Sequence, residues 1–298
     1  MRVETEALWA FHGERLRDGV PPERLIDRVA FSQHPPLRLS RCLHCTHIYR
    51  NPRERRESLT QAYDGETPDD AVLSALFETQ RTAYRAQAER LRTVAGRAGR
   101  GIEIGCYVGG FLAAARQAGW DFTGVDVSAA VSEFVTRKGF AVTIGEITDV
   151  RVAAPVDAVT IWNTFEQLYD VHVAVDAARH LLRDSGMFVV RIPNGDFYAR
   201  WRRRLHGAAA GIATRLLVHN NLLTFPYRQG FTESSLQTLF HAHGFEITHV
   251  TGDTLVPIAD SWTTRYGAID ERVVKRLQRM VHHGWRAPWV EVYARRVA

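Results

Sequence analysis

Lysine is almost missing from this chain, occurring only at Lys138 and Lys275, although Lys and Arg together number 38 of 298 residues. With 33 Asp and Glu the formal net charge is +5, and nearly all of the positive charge is arginine. An arginine set spread along the whole chain fits GC-rich coding, and its densest run, Arg200-Trp201-Arg202-Arg203-Arg204, is short. Such a charge permits anionic partners without demanding them, so nucleic acid is not an expected partner. Cysteine is scarce as well: Cys42, Cys45 and Cys106 exclude a disulfide framework and fit a reducing compartment. No apolar run approaches the ~20 residues of a membrane span, so no membrane partner is expected. The opening MRVETEALWAFHGERL lacks the basic start, apolar stretch and small-residue cleavage site of a secretory leader, which makes the cytoplasm the expected location. What remains is ordinary: 45% apolar and 24% charged residues, enough to bury a sizeable core in one large domain or one domain with an appendage.

Periodicity supplies the fold class. Short apolar runs at Gly101–Gly105, Phe122–Asp126, Phe140–Ile144, Val156–Trp162 and Gly186–Ile192 read as strands. Helical spacing fills Gly109–Ala118, Ser128–Lys138 and Val171–Leu182 between them. Strands alternating with helices of this length predict βαβ units and a parallel sheet covered on both faces. A helix after Thr232, strands at Phe245–Val250 and Trp289–Arg295, and an amphipathic helix over Ile269–Val281 continue the pattern. The first 80 residues break the rhythm and are expected to form an appendage of a hairpin plus helix. Residues 81–298 form the main domain, with 196–231 inserted.

The stretch that bears chemistry is Glu103-Ile-Gly105-Cys-Tyr-Val-Gly109-Gly110, joining a buried strand to a helix, with Asp126 ending the next strand. Glycines after a first strand allow a tight turn and close backbone approach to a ligand at the carboxyl edge of a sheet. An acid ending the second strand is placed to accept hydrogen bonds from a ribose diol. The glycines do not match the G-x-G-x-x-G spacing of a dinucleotide site. Glu103, at the strand end, suits an ammonium or sulfonium charge better than a pyrophosphate.

These residues resemble a known family. EIGCYVGGFLAAARQAGWDFTGVDVS is similar to the first motif and following acidic strand of class I S-adenosylmethionine-dependent methyltransferases. DAVTIWNTFEQLYD resembles their fourth-strand motif, and LLRDSGMFVVRIPNG their fifth-strand motif. The resemblance implies a doubly wound, seven-stranded, mostly parallel sheet of the Rossmann-like type, with an antiparallel seventh strand at Trp289–Arg295. It implies S-adenosylmethionine as cofactor, with Gly105 and Gly109 along its methionine portion and Glu103 facing the ammonium. Tyr107 would form an aromatic wall, Asp126 would take the ribose hydroxyls, and Val127, Gly145 and Glu146 would lie near adenine. Asn163, Thr164 and Phe165 would stand beside the transferable methyl.

The family usually carries Glu-His where this chain has Glu166-Gln167. A histidine there could act as general base because it titrates near neutrality, and glutamine cannot. The candidates for that role are His219 and Tyr227 in the insertion, which would form a lid over the acceptor, and Glu166. Proximity alone also carries much of a methyl transfer. The expected acceptor is a small molecule methylated on oxygen, a sugar or secondary metabolite. Carbon or nitrogen methylation, a cofactor-binding module without turnover, and RNA methylation remain the alternatives. Cys42-Leu-His-Cys45 followed by His47 resembles the second knuckle of a zinc-ribbon-like segment that precedes some of these enzymes. A structural zinc takes four ligands and no second C-x-x-C exists here, so the expectation is a metal-free hairpin; His12, His34, His44 and His47 are the only residues that could complete a site.

Overall fold

The apolar runs in the middle of the chain fold as strands of one sheet. In a computed structural model describing residues 10–20, 39–53, 69–204, 210–220, 222, 228–255, 257–258 and 260–297, strands are numbered along the chain. β1 (Leu39–Arg41), β2 (Ile48–Arg50) and β8 (Gln229–Gly230) form a three-stranded sheet of their own. The larger sheet holds β3 (Arg100–Ile104), β4 (Asp121–Asp126), β5 (Val142–Ile144), β6 (Val156–Trp162), β7 (Leu182–Pro193), β9 (Phe245–Asp253) and β10 (Trp289–Arg296). Their order is β5-β4-β3-β6-β7-β10-β9, and the β5/β4, β4/β3, β3/β6 and β6/β7 pairs are parallel. This is the expected doubly wound α/β sheet, with the strand at Trp289 inserted beside β7. The chain order reverses between β3 and β6, and open α/β sheets bind their ligands in the crevice at such a switch point.

Contacts divide the chain into two compact units: Arg55–Arg191, Gln237–His249 and Val292–Ala298 in one, Met1–Glu54, Ile192–Leu236 and Val250–Glu291 in the other. In the first of these, α1 (Asp70–Ala83), α2 (Arg85–Ala95), α3 (Gly110–Gln117), α4 (Ala129–Arg137) and α5 (Val171–Leu181) accompany the strands. The starts of α1, α4 and α5 follow from capping chemistry. Asp69, Ser128 and Asp170 each accept a backbone N–H of the first turn on a side-chain oxygen. The boundary expected at residue 80 falls inside α1, which packs on α3 so closely that a Cβ on Gly110 would lie 2.3 Å from Gln80 Cβ. Phe111 anchors the core beneath this contact, with ring centroids 4.8 Å from Trp162 and 5.3 Å from Phe122.

β7 starts four residues before the expected Gly186. Leu182 pairs with Val156 and Met187 with Ala158, and Ser185 at φ +60° lies in the bulge between these pairs.

In the other unit, β1 and β2 form an antiparallel hairpin, and β2 pairs with β8 through Ile48 and Gly230. α6 (Gly195–Arg204), α7 (Ala210–Val218) and the hairpin close a small core of Ile48, Phe197, Tyr198, Leu217, Val218 and Leu222. α9 (Arg265–Val281), numbered after α8 (Glu233–Ala242), begins where Thr264 accepts the Gly267 N–H at 3.0 Å.

Candidate functional site

The carboxyl ends of β3, β4, β5 and β6 gather the residues singled out by sequence. After β3 the chain turns over β4, with the N–H of Gly105 donating to Val125 O at 2.8 Å. Gly105 and Gly109 hold φ of +70° and +76°, where a Cβ is strained, and a Cβ at Gly105 would also sit 2.6 Å from Thr164 Oγ1. Tyr107 takes the left-handed region too, at φ +44°, and its side chain is partly exposed. Such a residue departs from the usual conformation only where its surroundings hold it. Here its N–H donates to Asp126 Oδ2 at 2.8 Å, while Asp126 Oδ1 accepts the Ser128 N–H at 3.0 Å.

Two carboxylates mark the edge electrostatically. Burial pushes Asp126 above the ordinary carboxylate range, against the pull of the Ser128 and Tyr107 N–H groups. Glu103 is pushed up well above it, first by burial and then by the charge of Asp126. Glu103 Oε2 has no hydrogen-bond partner although it is sealed from solvent. A buried acceptor left unpaired is costly, and an ammonium or water beside it would satisfy it. Around these acids lie exposed apolar groups, Val127 at 44% and Ile144 at 56%, the latter opposite Asp126 in the β4/β5 register. Gly145 turns at φ +143° and Glu146 opens a short 3-10 turn, its N–H donating to Asp149 Oδ2 at 2.8 Å. Carboxylate acceptors, a glycine cradle and an apolar flank together fit a ligand with hydroxyls, a cation and a flat ring.

At the end of β6, Asn163 adopts φ +56° and joins three segments. Its Nδ2 donates to Tyr84 Oη at 2.9 Å and its Oδ1 accepts from Arg191 Nη1 at 2.5 Å. Thr164 faces Gly105, as described. Phe165 lies behind the edge, fully buried against Phe188 and Phe240. Gln167, where the family has histidine, donates its amide to Asn163 O at 2.7 Å and so closes the turn. Glu166 is wholly buried, and neither of its oxygens makes a hydrogen bond of good geometry, its own N–H and the Gln167 amide being the nearby donors. Burial pushes its carboxyl up to about 7, with its own backbone N–H, the Gln167 amide and the Arg191 guanidinium pulling only partly the other way.

Sequence reasoning missed Ile144, Tyr84 and Arg191. An apolar residue ending a strand just before a glycine was the available signal for Ile144, and a lone charge within the apolar run of β7 was the signal for Arg191. Nothing local marks Tyr84.

The other expected residues lie in the second unit or outside the described residues. His219 is buried, edge-on to Phe11, with Nε2 3.1 Å from Asp270 Oδ2. Burial holds its pKa below the ordinary histidine value, against the carboxylates of Glu271 and Asp270. Tyr227 lies outside the described residues, as does His34. Cys42 and Cys45 are free, half-buried thiols in a turn where Thr46 takes φ +63° and its N–H donates to Cys42 O at 3.1 Å. Among the described residues no group of three or more His, Cys, Asp or Glu is placed to hold a metal ion.

Residues 76–250, more than half of the 298, match the family model described as a methyltransferase domain. No curated protein matches by sequence. Solved structures of similar fold include a methyltransferase from Thermotoga maritima described as a possible histamine N-methyltransferase, at 19% identity and TM-score 0.48, covering 74% of this chain and 91% of that one. A glycopeptide N-methyltransferase complexed with sinefungin is 14% identical, with TM-score 0.47 and 72% and 87% coverage. The magnesium protoporphyrin IX methyltransferase of Synechocystis PCC 6803, with bound S-adenosylhomocysteine, is 12% identical, with TM-score 0.47 and 79% and 92% coverage. With the domain match spanning the glycine turn, the two acids and the end of β6, the chain belongs to the S-adenosylmethionine-dependent methyltransferase family.

Proposed function

We propose that this methyltransferase acts on a hydroxyl oxygen of a small molecule, a sugar or secondary metabolite, with Glu166 as the proton acceptor. One observation carries the reading: a fully buried carboxyl just after β6, whose oxygens make no hydrogen bond of good geometry and whose pKa is pushed up to about 7. A general base works best when its pKa lies near the operating pH. A buried acceptor with bonding capacity to spare is the position that an entering hydroxyl, or a water leading to one, would satisfy.

The bound cofactor supplies an electrophilic methyl on a sulfonium sulfur. The chain's own residues would hold and orient it. Gly105, Tyr107 and Gly109 provide the close backbone turn for the methionine portion, and Glu103 Oε2 an acceptor for its ammonium. Asp126 has lone pairs to spare for two ribose hydroxyls after accepting the Tyr107 and Ser128 N–H groups. Val127, Ile144, Gly145 and Glu146 would flank the adenine. Asn163 and Thr164 would border the methyl, with Phe165 packed behind them. Glu166 is preferred to His219 because it follows β6 closely, just after Asn163 and Thr164 in the chain.

The test is an acceptor screen with labelled S-adenosylmethionine over hydroxylated sugars, phenols and amines, followed by a pH–rate profile on the best acceptor. Methyl should appear on oxygen, with a rate that rises through pH about 7 as Glu166 ionises. In Glu166→Gln that rise should vanish and turnover fall by roughly 10²-fold or more. Methyl on nitrogen or carbon, or an unchanged profile in Glu166→Gln, overturns the reading.

A further inference from the structure

α9 is mounted the wrong way round for a surface helix. The apolar stripe of an amphipathic helix ordinarily faces the core. Here the buried residues of α9 are Asp270, Glu271, Lys275 and Gln278, together with Gly267. They are held by polar contacts within their unit: Lys275 Nζ to Glu271 Oε1 at 2.5 Å, His219 to Asp270, and Asn220 Nδ2 to Gln278 Oε1 at 2.6 Å. The apolar residues point outward instead. Tyr266, Ile269, Val273, Leu277 and Met280 are between 49% and 65% exposed. At about 100° per residue these five fall within an arc of roughly 80°. Every charged residue exposed on the helix is an arginine, namely Arg265, Arg272, Arg276 and Arg279, and all four lie in the adjoining roughly 60°. Arg272 pairs with Asp260, and Arg279 approaches Asp253 at 3.8 Å. Among the described residues Arg265 and Arg276 have no acidic partner.

We infer that the outer face of α9 docks on an anionic lipid surface. An exposed apolar ridge of this length marks an interaction site, and the charge beside it selects the occupant. A second copy laid on the same face would set arginine against arginine with no exposed acid on the helix to receive it. A protein groove that wraps a helix needs more than one face, and the polar face of α9 is locked to its own unit. A plane needs only the one stripe: apolar side chains enter the headgroup boundary while flanking arginines reach the phosphates.

The test is co-sedimentation of the full chain with vesicles of pure phosphatidylcholine and of phosphatidylcholine containing one part in three phosphatidylglycerol. Binding to the anionic vesicles should be about tenfold or more the stronger, and should fall as salt rises. Arg276→Gln should weaken it about fivefold, and Leu277→Glu should abolish it. Both side chains are exposed, so S-adenosylhomocysteine affinity and thermal stability should stay unchanged, which separates docking from misfolding. Equal binding to both vesicles, binding to neither, or binding indifferent to both substitutions overturns the proposal. A solution dimer that Leu277→Glu dissociates would also overturn it, assigning the face to a second copy.

Discussion

The carboxylate of Asp126 accepts the backbone N–H of Tyr107 at 2.8 Å, so the glycine turn after β3 hangs from the end of β4. One side chain thereby serves the shape of the site and, in the proposed reading, its ligand. Asp126→Ala should weaken S-adenosylhomocysteine binding by roughly 10²-fold, since each charge-assisted hydrogen bond contributes about 1.5–3 kcal/mol. It should also lower the melting temperature without ligand, because the Tyr107 and Ser128 N–H groups lose their acceptor. Calorimetric titration beside a ligand-free melt reads both. Equal affinity in the two proteins would move the ribose away from Asp126.

Gly110 separates a packing glycine from a turning one. It sits inside α3, where alanine is intrinsically the better helix former. A Cβ there would meet Gln80 Cβ at 2.3 Å and the Arg81 backbone N at 3.1 Å. Gly110→Ala should therefore destabilise by about 1–3 kcal/mol through overpacking. A denaturant melt showing stabilisation instead would mean that α1 yields freely.

Glu166 ties stability to pH. Its folded pKa, about 7, is raised above its ordinary 4.5, so the neutral acid is the form the fold prefers. The stability this contributes is complete below pH about 4.5 and is lost as pH climbs through about 7, amounting to about 3 kcal/mol at most. Glu166→Gln imitates the neutral acid. Its stability should lack that fall, which makes the variant the more stable protein above pH about 7. Parallel pH dependence in urea melts of both proteins would show that Glu166 is not the group responsible.

Most of the sheet was legible because its central strands are buried on both faces and read as apolar runs. The glycine turn and Asp126 were legible because backbone geometry there restricts residue type. Other features were not, each for a physical reason. Tyr84 reaches Asn163 through tertiary packing alone. Phe165 occupies a motif position yet is drawn into an aromatic core. The helix at Ile269–Val281 was visible as amphipathic, but periodicity gives a stripe and not its direction. Only buried partners for Asp270, Glu271 and Gln278 decide that the polar side faces inward.

Cys42 and Cys106 should differ in reactivity. Backbone N–H groups of Cys45 and His44, with the Cys45 side chain, hold the Cys42 thiol below its ordinary pKa, whereas burial pushes Cys106 far up. The thiolate is the reacting form. Iodoacetamide at neutral pH should label Cys42 in the native protein and spare Cys106 until it unfolds, as peptide mass mapping would show. Protection of Cys42 that a chelator relieves would instead indicate a bound metal.

Tyr84, where α1 meets α2, is tied through Asn163 to Arg191 on β7. These two hydrogen bonds couple the helical pair to the ends of two strands. Amide exchange along α2 becomes a remote gauge of the end of β6. A ligand that immobilises Asn163 should slow deuterium uptake in helices it never touches, and a fluorophore on an exposed position of α2 would report binding without entering the site.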